Sequence, residues 1–203
     1  MNKAEIEFWF EFASPYSYVA AERIEREATL GGIAVNWRSF LLGPIFSAQG
    51  WKDSPFNLYP AKGRYMWRDM ERLCDKLALP FRRPSVFPRS GLLAARISCL
   101  ESAQPWCPDF VRAVFRANFA EDRDVAAPEV ISELLASLGL DAAILVARAN
   151  SAESKEQLRR QTERAVQLGI FGAPAFFAGN EMFWGQDRLQ DALLCSLGLI
   201  AHP

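Results

Sequence analysis

The first 43 residues alternate between strand-like and helix-like patterns of apolar positions. The stretch 6–12 (IEFWFEF) begins with alternating apolar and acidic residues, which predicts a β-strand. The stretch 18–30 has a helical pattern and is followed by Gly31-Gly32, and the stretch 33–42 (IAVNWRSFLL) again has the composition of a strand. Strand, helix and strand in such close succession predict a βαβ unit with parallel strands.

The middle of the chain has a different pattern. Residues 43–61 are rich in glycine and proline, which predicts a loop. From about residue 60 to residue 168 the apolar positions recur with the helical period, and prolines separate the predicted helices. This long segment is therefore predicted to be entirely helical.

The last 35 residues return to strand patterns. The apolar run 175–178, the turn pair Gly179-Asn180 and the run 181–184 predict a β-hairpin. Asp187 is then predicted to cap a final helix. The chain thus ends in a ββα unit.

A βαβ unit and a ββα unit are the two halves of a thioredoxin-like fold. We therefore predict an α/β protein: a thioredoxin-like domain with a large all-helical insertion. The predicted domain comprises residues 1–43 plus 166–203, and the predicted insertion comprises residues 44–165.

Composition narrows the class of protein. Half of the 203 residues are hydrophobic, so the chain can bury a sizeable core, and the net charge of −1 argues against nucleic acid as a partner. No apolar run reaches the roughly 18 residues of a membrane span, and acidic residues interrupt the N-terminal stretch where a signal peptide would be apolar. These features predict a cytoplasmic protein that does not bind membranes.

The cysteines and the histidine exclude several kinds of site. Cys74, Cys99, Cys107 and Cys195 lack the spacing of a metal site or a redox motif, so we expect thiols packed in the core. The one histidine is His202, which excludes a histidine-based triad and a multi-histidine metal site. We therefore predict no metal.

The tetrapeptide Ser14-Pro15-Tyr16-Ser17 stands where the first strand meets the first helix. Ser14 suits an N-cap, and Pro15 suits the first helical position. Thioredoxin-like proteins carry Cys-x-x-Cys here; serine at both positions removes dithiol chemistry but keeps a helix N-terminus that favours an anion. A capping serine needs no catalytic role, so this motif alone leaves both interpretations open.

A second motif, Gly172-Ala173-Pro174, precedes the predicted hairpin. Most X–Pro bonds are trans, but thioredoxin-like folds place a cis-proline at this point. Together with Ser-x-x-Ser, the motif favours a cis Ala173–Pro174 bond. In that fold the Ala173 backbone faces the helix N-terminus, where an extended thiol peptide can pair with it.

Four segments carry a resemblance to a known family: 8–18 (FWFEFASPYSY), 60–66 (PAKGRYM), 171–174 (FGAP) and 183–188 (FWGQDR). They resemble 2-hydroxychromene-2-carboxylate isomerases, which are bacterial relatives of kappa-class glutathione transferases in the DsbA-like thioredoxin superfamily. The resemblance spans almost the whole chain, with the motifs in the expected order.

The resemblance implies glutathione as the cofactor. Ser14 matches the serine that hydrogen-bonds the glutathione sulfur, which favours the thiolate. Ala173, followed by Pro174, would pair through its backbone with the cysteinyl residue. The γ-glutamyl end would lie against the segment Trp184, Gly185, Gln186 and Asp187.

Three further residues are candidates for binding the substrate. Lys62 matches a lysine of the family and offers a cation to the glycyl carboxylate of glutathione or to a substrate carboxylate; it is equally compatible with a solvated lysine at a helix start. Asn57 and Arg89 lie in neighbouring loop segments and are weaker candidates for the substrate pocket.

The resemblance thus implies a glutathione-dependent cis-trans isomerase that acts on 2-hydroxychromene-2-carboxylate or a similar small aromatic unsaturated 2-oxo acid. The thiolate would add reversibly to the alkene. A homodimer is also implied. Two alternatives stay open: a kappa-like transferase or peroxidase that consumes glutathione, and a non-catalytic thioredoxin-like binding module.

Overall fold

A computed structural model describes residues 4–200 and contains one four-stranded mixed sheet. Its strands are β1 (Glu5–Phe10), β2 (Ala34–Ser39), β3 (Ala175–Ala178) and β4 (Glu181–Trp184), in the order β2-β1-β3-β4. β1 is parallel to β2 and antiparallel to β3, and β3 forms a hairpin with β4. The predicted βαβ unit and the predicted hairpin are confirmed.

The helices fall into three groups along the described chain. α1 follows β1, eight helices lie between β2 and β3, and a 3₁₀ turn (Gln186–Arg188) leads from β4 to the last helix. Their bounds are α1 Pro15–Leu30, α2 Leu42–Ala48, α3 Pro55–Leu58, α4 Pro60–Leu77, α5 Leu92–Leu100, α6 Cys107–Phe119, α7 Pro128–Ser137, α8 Ala142–Ala149, α9 Ala152–Gln167 and α10 Leu189–Ser196.

The architecture is the predicted α/β fold, thioredoxin-like with a helical insertion between β2 and β3. The exact limits of the insertion stay a prediction. The predicted boundary at 43/44 falls inside α2, and the one at 165/166 falls inside α9.

The stretch 43–61, predicted as a loop, contains most of the short helix α2, all of α3 and the start of α4. Its prolines are compatible with helix because Pro44 lies in the first turn of α2 and Pro55 opens α3, where no intrahelical N–H is needed. The Ser54 side chain caps α3 by accepting a hydrogen bond from the Phe56 N–H at 3.3 Å.

Aromatic side chains pack on both faces of β1. Phe8 and Phe10 belong to the larger core cluster, whereas Trp9 belongs to a second cluster and lies 6.0 Å from the Phe40 ring. Successive strand residues point to opposite faces, so these three residues bury both sides of the strand. The strand is thereby fixed just before the residues that form the candidate site.

The cysteines are structural. All four are buried, and Cys74, Cys99 and Cys107 are free thiols, as predicted for these three. Burial raises the pKa of Cys74 and Cys99 to about 11 and that of Cys107 to about 12. These three thiols therefore stay protonated and unreactive at neutral pH.

Candidate active site

The junction between β1 and α1 is held by the Ser14 hydroxyl. Ser14 is the N-cap of α1, and its Oγ accepts a hydrogen bond from the Ser17 N–H at 3.2 Å, which confirms the predicted cap. The same hydroxyl donates to the Ala173 carbonyl oxygen at 2.8 Å. Because a hydroxyl has a single hydrogen, Ser14 can donate to a second acceptor only by leaving Ala173.

The segment around Ala173 links this junction to the hairpin. The Ala173–Pro174 bond is cis, as predicted; Phe87–Pro88 is a second cis bond that sequence analysis did not predict. The Pro174 carbonyl accepts a hydrogen bond from the Gly185 N–H at 3.0 Å. The three predicted segments at Ser14, Ala173 and Gly185 are therefore connected by a chain of hydrogen bonds and backbone.

Ser14 and Ala173 line a cavity of about 700 Å³. Its walls come from the β1–α1 junction, α2, the segment 51–56, the start of α4, the segment 87–90 and the segment 171–173, closed by Trp184. Large apolar side chains dominate the lining, among them Leu42, Phe46, Trp51, Phe56 and Phe87. Two lysines, Lys52 and Lys62, add cationic groups to the wall.

Trp184 forms an aromatic rim with Phe171. Their ring centroids are 4.7 Å apart, and both residues are about half exposed, so they lie at the opening of the cavity. A Cβ at Gly172 would lie 2.5 Å from the Trp184 Nε1, so only glycine allows the indole to rest on this backbone.

The residues that follow Trp184 are not among the described residues that line the cavity. The Gln186 side chain is buried, and its Oε1 accepts a hydrogen bond from the Arg23 guanidinium at 2.8 Å.

The predicted helix cap at Asp187 is wrong: α10 begins at Leu189, after the 3₁₀ turn, and neither element has a side-chain cap. The Asp187 carboxylate is largely exposed and packs against Gly185, whose φ of 108° suits glycine.

Arg89 lines the cavity but is only 6% exposed. Its guanidinium donates to the Asp122 Oδ1 at 2.5 Å, to the Ser85 Oγ at 3.0 Å and to the Asn118 Oδ1 at 3.2 Å. Hydrogen bonds from the Ser85 N–H and from Arg89 lower the pKa of Asp122 to about 2. Arg89 therefore anchors the cavity wall through Asp122.

Asn57 is not among the described lining residues of the cavity. Its Nδ2 donates to the Asp53 Oδ2 at 3.0 Å and to the Phe87 carbonyl at 3.2 Å. Asn57 therefore ties the wall segments on either side of α4 together. Lys62, by contrast, is an exposed lining residue whose Nζ lies 5.5 Å from the Tyr59 ring centroid.

Glu11 also lines the cavity, and sequence analysis did not select it. Its Oε2 accepts a hydrogen bond from the Ala13 N–H at 2.9 Å. Burial raises the pKa of Glu11 to about 7, and the Ala13 hydrogen bond opposes part of that shift. The signal in the sequence is an acidic residue within a run of aromatic residues, three positions before Ser14.

Glu11 makes the stability of the protein fall as the pH rises. Between pH 4.5 and pH 7 the fold holds a proton on Glu11 that the unfolded chain has lost, so ionisation favours unfolding. We expect Glu11→Gln to remove this decrease of stability with pH. Relative to wild type, the unfolding free energy of the variant should rise by about 2 kcal/mol between pH 5 and pH 8. Urea unfolding at both pH values measures this, and an equal pH dependence in both proteins would contradict it.

The structure describes residues 4–200 of the chain. This part of the chain contains no group of three or more histidine, cysteine, aspartate or glutamate side chains that could hold a metal ion. Among the same residues, no helix is both long enough and apolar enough to cross a membrane.

The chain is similar to known proteins over almost its whole length. The family described as DSBA-like thioredoxin domain matches residues 5–193. Over 185 residues the chain is 29% identical to a 2-hydroxychromene-2-carboxylate isomerase of Sphingobium xenophagum, covering 91% of this chain and 93% of that protein. Over 200 residues it is 27% identical to glutathione S-transferase kappa 1 of Homo sapiens, covering 91% and 87%.

A solved structure of a 2-hydroxychromene-2-carboxylate isomerase matches the fold with a TM-score of 0.83 at 26% sequence identity, covering 96% of this chain and 94% of that one. The family match includes all four strands and the Ser14 junction. On this evidence the chain belongs to the DSBA-like thioredoxin domain family.

Proposed function

We propose that this protein is a glutathione-dependent cis-trans isomerase of 2-hydroxychromene-2-carboxylate or a similar aromatic unsaturated 2-oxo acid. One observation carries the proposal: the Ser14 hydroxyl and the Ala173 backbone meet, 2.8 Å apart, on the wall of an apolar cavity that also holds two lysines. The similarity to isomerases and to kappa glutathione transferases supports the same cofactor.

Glutathione would lie along the Ala173 backbone beside Pro174, with its sulfur at Ser14. Its arrival would turn the Ser14 O–H from the Ala173 carbonyl to the sulfur, and the N-terminus of α1 would add its positive dipole end. Both effects favour the thiolate over the thiol.

The γ-glutamyl end would extend past Trp184 toward the turn at Gly185. The exposed Asp187 carboxylate would accept hydrogen bonds from its ammonium group. Arg23 holds the Gln186 side chain, and Gln186 would contribute to glutathione binding through its position in the turn. The family resemblance motivates these contacts.

The cavity has room for a second molecule. Its volume of about 700 Å³ is in the range of small-molecule sites that bury most of their ligand. Phe46, Trp51 and Phe56 would pack against the aromatic ring of the substrate, and Lys52 or Lys62 would pair with its carboxylate. Arg89 would shape this pocket from within the wall, and Asn57 would do so by holding the Phe87 segment.

The reaction would proceed by addition, rotation and elimination. The cyclic hemiketal first opens to the oxo acid: its carbon–ring oxygen bond breaks and the hydroxyl proton moves to the phenol oxygen. The thiolate then adds to the alkene carbon β to the ketone, and the electron pair moves to the carbonyl oxygen. The former double bond then rotates, and elimination of the thiolate yields the other isomer. Cationic groups of the wall stabilise the oxyanion, and glutathione is regenerated.

The test is isomerisation of 2-hydroxychromene-2-carboxylate with substoichiometric glutathione. Absorbance follows the two isomers, and a thiol assay measures free glutathione before and after the reaction. We expect many turnovers with no loss of thiol and none without glutathione. Loss of thiol in step with substrate would indicate a transferase, and absence of turnover would indicate a binding module. Either result would contradict the proposal.

Lys62 provides a second test of the site. We expect Lys62→Gln to raise the KM for the oxo acid roughly 5- to 20-fold with little change in kcat, because a charge-assisted hydrogen bond of ~1–2 kcal/mol is lost in ground state and transition state alike. The matched control is Lys76→Gln, which removes an exposed lysine at the other end of α4.

A rise in the KM for glutathione instead would assign Lys62 to the glycyl carboxylate. Unchanged KM values for both ligands would show that Lys62 is a solvated lysine. The homodimer implied by the family resemblance stays a separate prediction, which light scattering of the purified protein would measure.

A further inference from the structure

We propose that Glu11 accepts the proton that the glutathione thiol loses on binding, and that it passes this proton to the oxyanion formed when the thiolate adds to the substrate. The inference rests on the proposed function and assigns a catalytic residue to it.

Glu11 and Ser14 line the same cavity. A tight turn joins the two residues, since the Ser14 N–H donates to the Glu11 carbonyl at 3.0 Å. The Ala13 N–H holds the Glu11 Oε2 at 2.9 Å and so limits how far the side chain can move. A thiol bound at Ser14 would therefore share the cavity with Glu11, three residues away along this turn.

The other acidic groups among the described residues that line the cavity are less suited to accept the thiol proton. Asp53 is exposed, and its carboxylate accepts hydrogen bonds from the Ser54 N–H at 2.6 Å and from Asn57 at 3.0 Å. The Tyr16 hydroxyl donates to the Asp69 Oδ2 at 2.9 Å, and its pKa is raised far above neutrality, chiefly by burial. No histidine or cysteine is among the described residues that line the cavity.

The pKa of Glu11 suits the exchange of a proton with the thiol near neutral pH. The charged groups on the cavity wall besides Glu11 are Lys52, Asp53, Lys62 and Arg89. The dominant influence on Glu11 is burial, which raises its pKa to about 7. A thiolate in the same cavity would raise that pKa further, because two anions close together disfavour each other. A thiolate in the cavity therefore favours the neutral form of Glu11, which is able to donate a proton.

The proton balance then closes within the site. On binding, the thiol proton moves to the Glu11 carboxylate, which leaves a thiolate and a carboxylic acid. The thiolate attacks the alkene, the electron pair reaches the carbonyl oxygen, and Glu11 protonates that oxygen to give an enol. After rotation the carboxylate takes the proton back as the thiolate leaves. No external acid or base is consumed.

The experiment counts the protons released when glutathione binds at pH 7.5. At this pH about three quarters of Glu11 is ionised in the ligand-free wild type, so it can retain most of the thiol proton. We expect the wild type to release roughly 0.3 proton per glutathione, and Glu11→Gln to release about one. Titration calorimetry in buffers of different ionisation enthalpy gives the number, and absorbance near 240 nm reports the thiolate.

Two further variants make the test specific. Glu71→Gln, which removes an exposed carboxylate on α4, should release the same number of protons as wild type. Glu11→Asp keeps a carboxyl, so it should release fewer protons per glutathione than Glu11→Gln does. This variant distinguishes an effect of the titrating carboxyl from an effect of side-chain size. In turnover assays, the pH–rate profile of the wild type should include an ionisation near pH 7 that is due to Glu11, and the profile of Glu11→Gln should lack it.

Equal proton release by wild type and Glu11→Gln would overturn the inference. A Glu11→Gln complex with less thiolate than wild type would also overturn it, since Glu11 would then stabilise the thiolate instead of holding its proton. No binding heat in any of the proteins would instead refute the proposed function, and the inference with it. The two failures are therefore distinguishable.

Discussion

Ser14→Ala is expected to lower isomerase turnover at pH 7 by roughly 10- to 1,000-fold, by analogy with the removal of one charge-stabilising donor from an active site. The variant loses the side-chain O–H that donates to the carbonyl oxygen of Ala173, the predicted anchor of glutathione. The N-terminus of α1 remains, so thiolate formation should be weakened and not abolished. Part of the activity should return as the pH rises and the thiol ionises unaided. The measurement is the pH–rate profile with saturating glutathione.

The matched control for this experiment is Ser17→Ala. Ser17 is fully buried in the same helical turn, and its Oγ has no hydrogen-bond partner. Removing that oxygen should therefore leave the pH–rate profile unchanged. Ser14→Ala also removes a cap and should cost about 1 kcal/mol of stability, so melting must be measured beside turnover. Identical profiles for wild type and Ser14→Ala would show that Ser14 is only a helix cap.

Gly63→Ala is expected to destabilise the protein by about 2–4 kcal/mol, the range of severe overpacking. Gly63 lies in the first turn of α4, and a Cβ there would come 2.2 Å from the Phe56 carbonyl oxygen. That oxygen belongs to the backbone of α3, so the clash can be relieved only by moving one helix away from the other. Urea unfolding gives the change in free energy.

Gly43→Ala is the control, since a Cβ at Gly43 meets nothing within 4 Å and the residue is part of α2. Alanine favours helix over glycine by up to ~1 kcal/mol, so this variant should be as stable as wild type or slightly more stable. Because Phe56 lines the cavity, Gly63→Ala should also change the cavity wall. Wild-type stability of Gly63→Ala would mean that α3 and α4 can separate at little cost.

The elements that sequence analysis found have local signals. Ser14 and Pro15 mark the start of α1 by themselves, and Gly179-Asn180 between two apolar runs defines the hairpin. The cis bond at Ala173–Pro174 was predicted only because the motif was combined with Ser14 at the other end of the chain. Local chemistry and the order of motifs were sufficient for the fold and for the Ser14–Ala173 pair.

The features that sequence analysis missed depend on distant parts of the chain. The pKa of Glu11 follows from burial that packing creates, and composition does not reveal it. Arg89 stays a candidate for the substrate pocket, but the sequence does not show that Asp122, 33 residues later, holds its guanidinium. Asp187 has the residue type of a cap, but the chain forms a 3₁₀ turn before α10 and leaves its side chain without that role.

The hydrogen bond between Arg23 and Gln186 has a consequence for engineering. Arg23 lies on α1, outside the lining of the cavity, and it is also paired with Glu27 at 2.8 Å. A library that diversifies only the cavity wall would leave the turn after Trp184 fixed by this helix. If the proposed function holds, directed evolution toward a different thiol should include Arg23 and Glu27, because a substitution there is expected to shift the turn without altering any wall residue. Substitutions at such remote positions could then be combined with any set of cavity-wall substitutions, and each combination would keep the broadened cofactor preference.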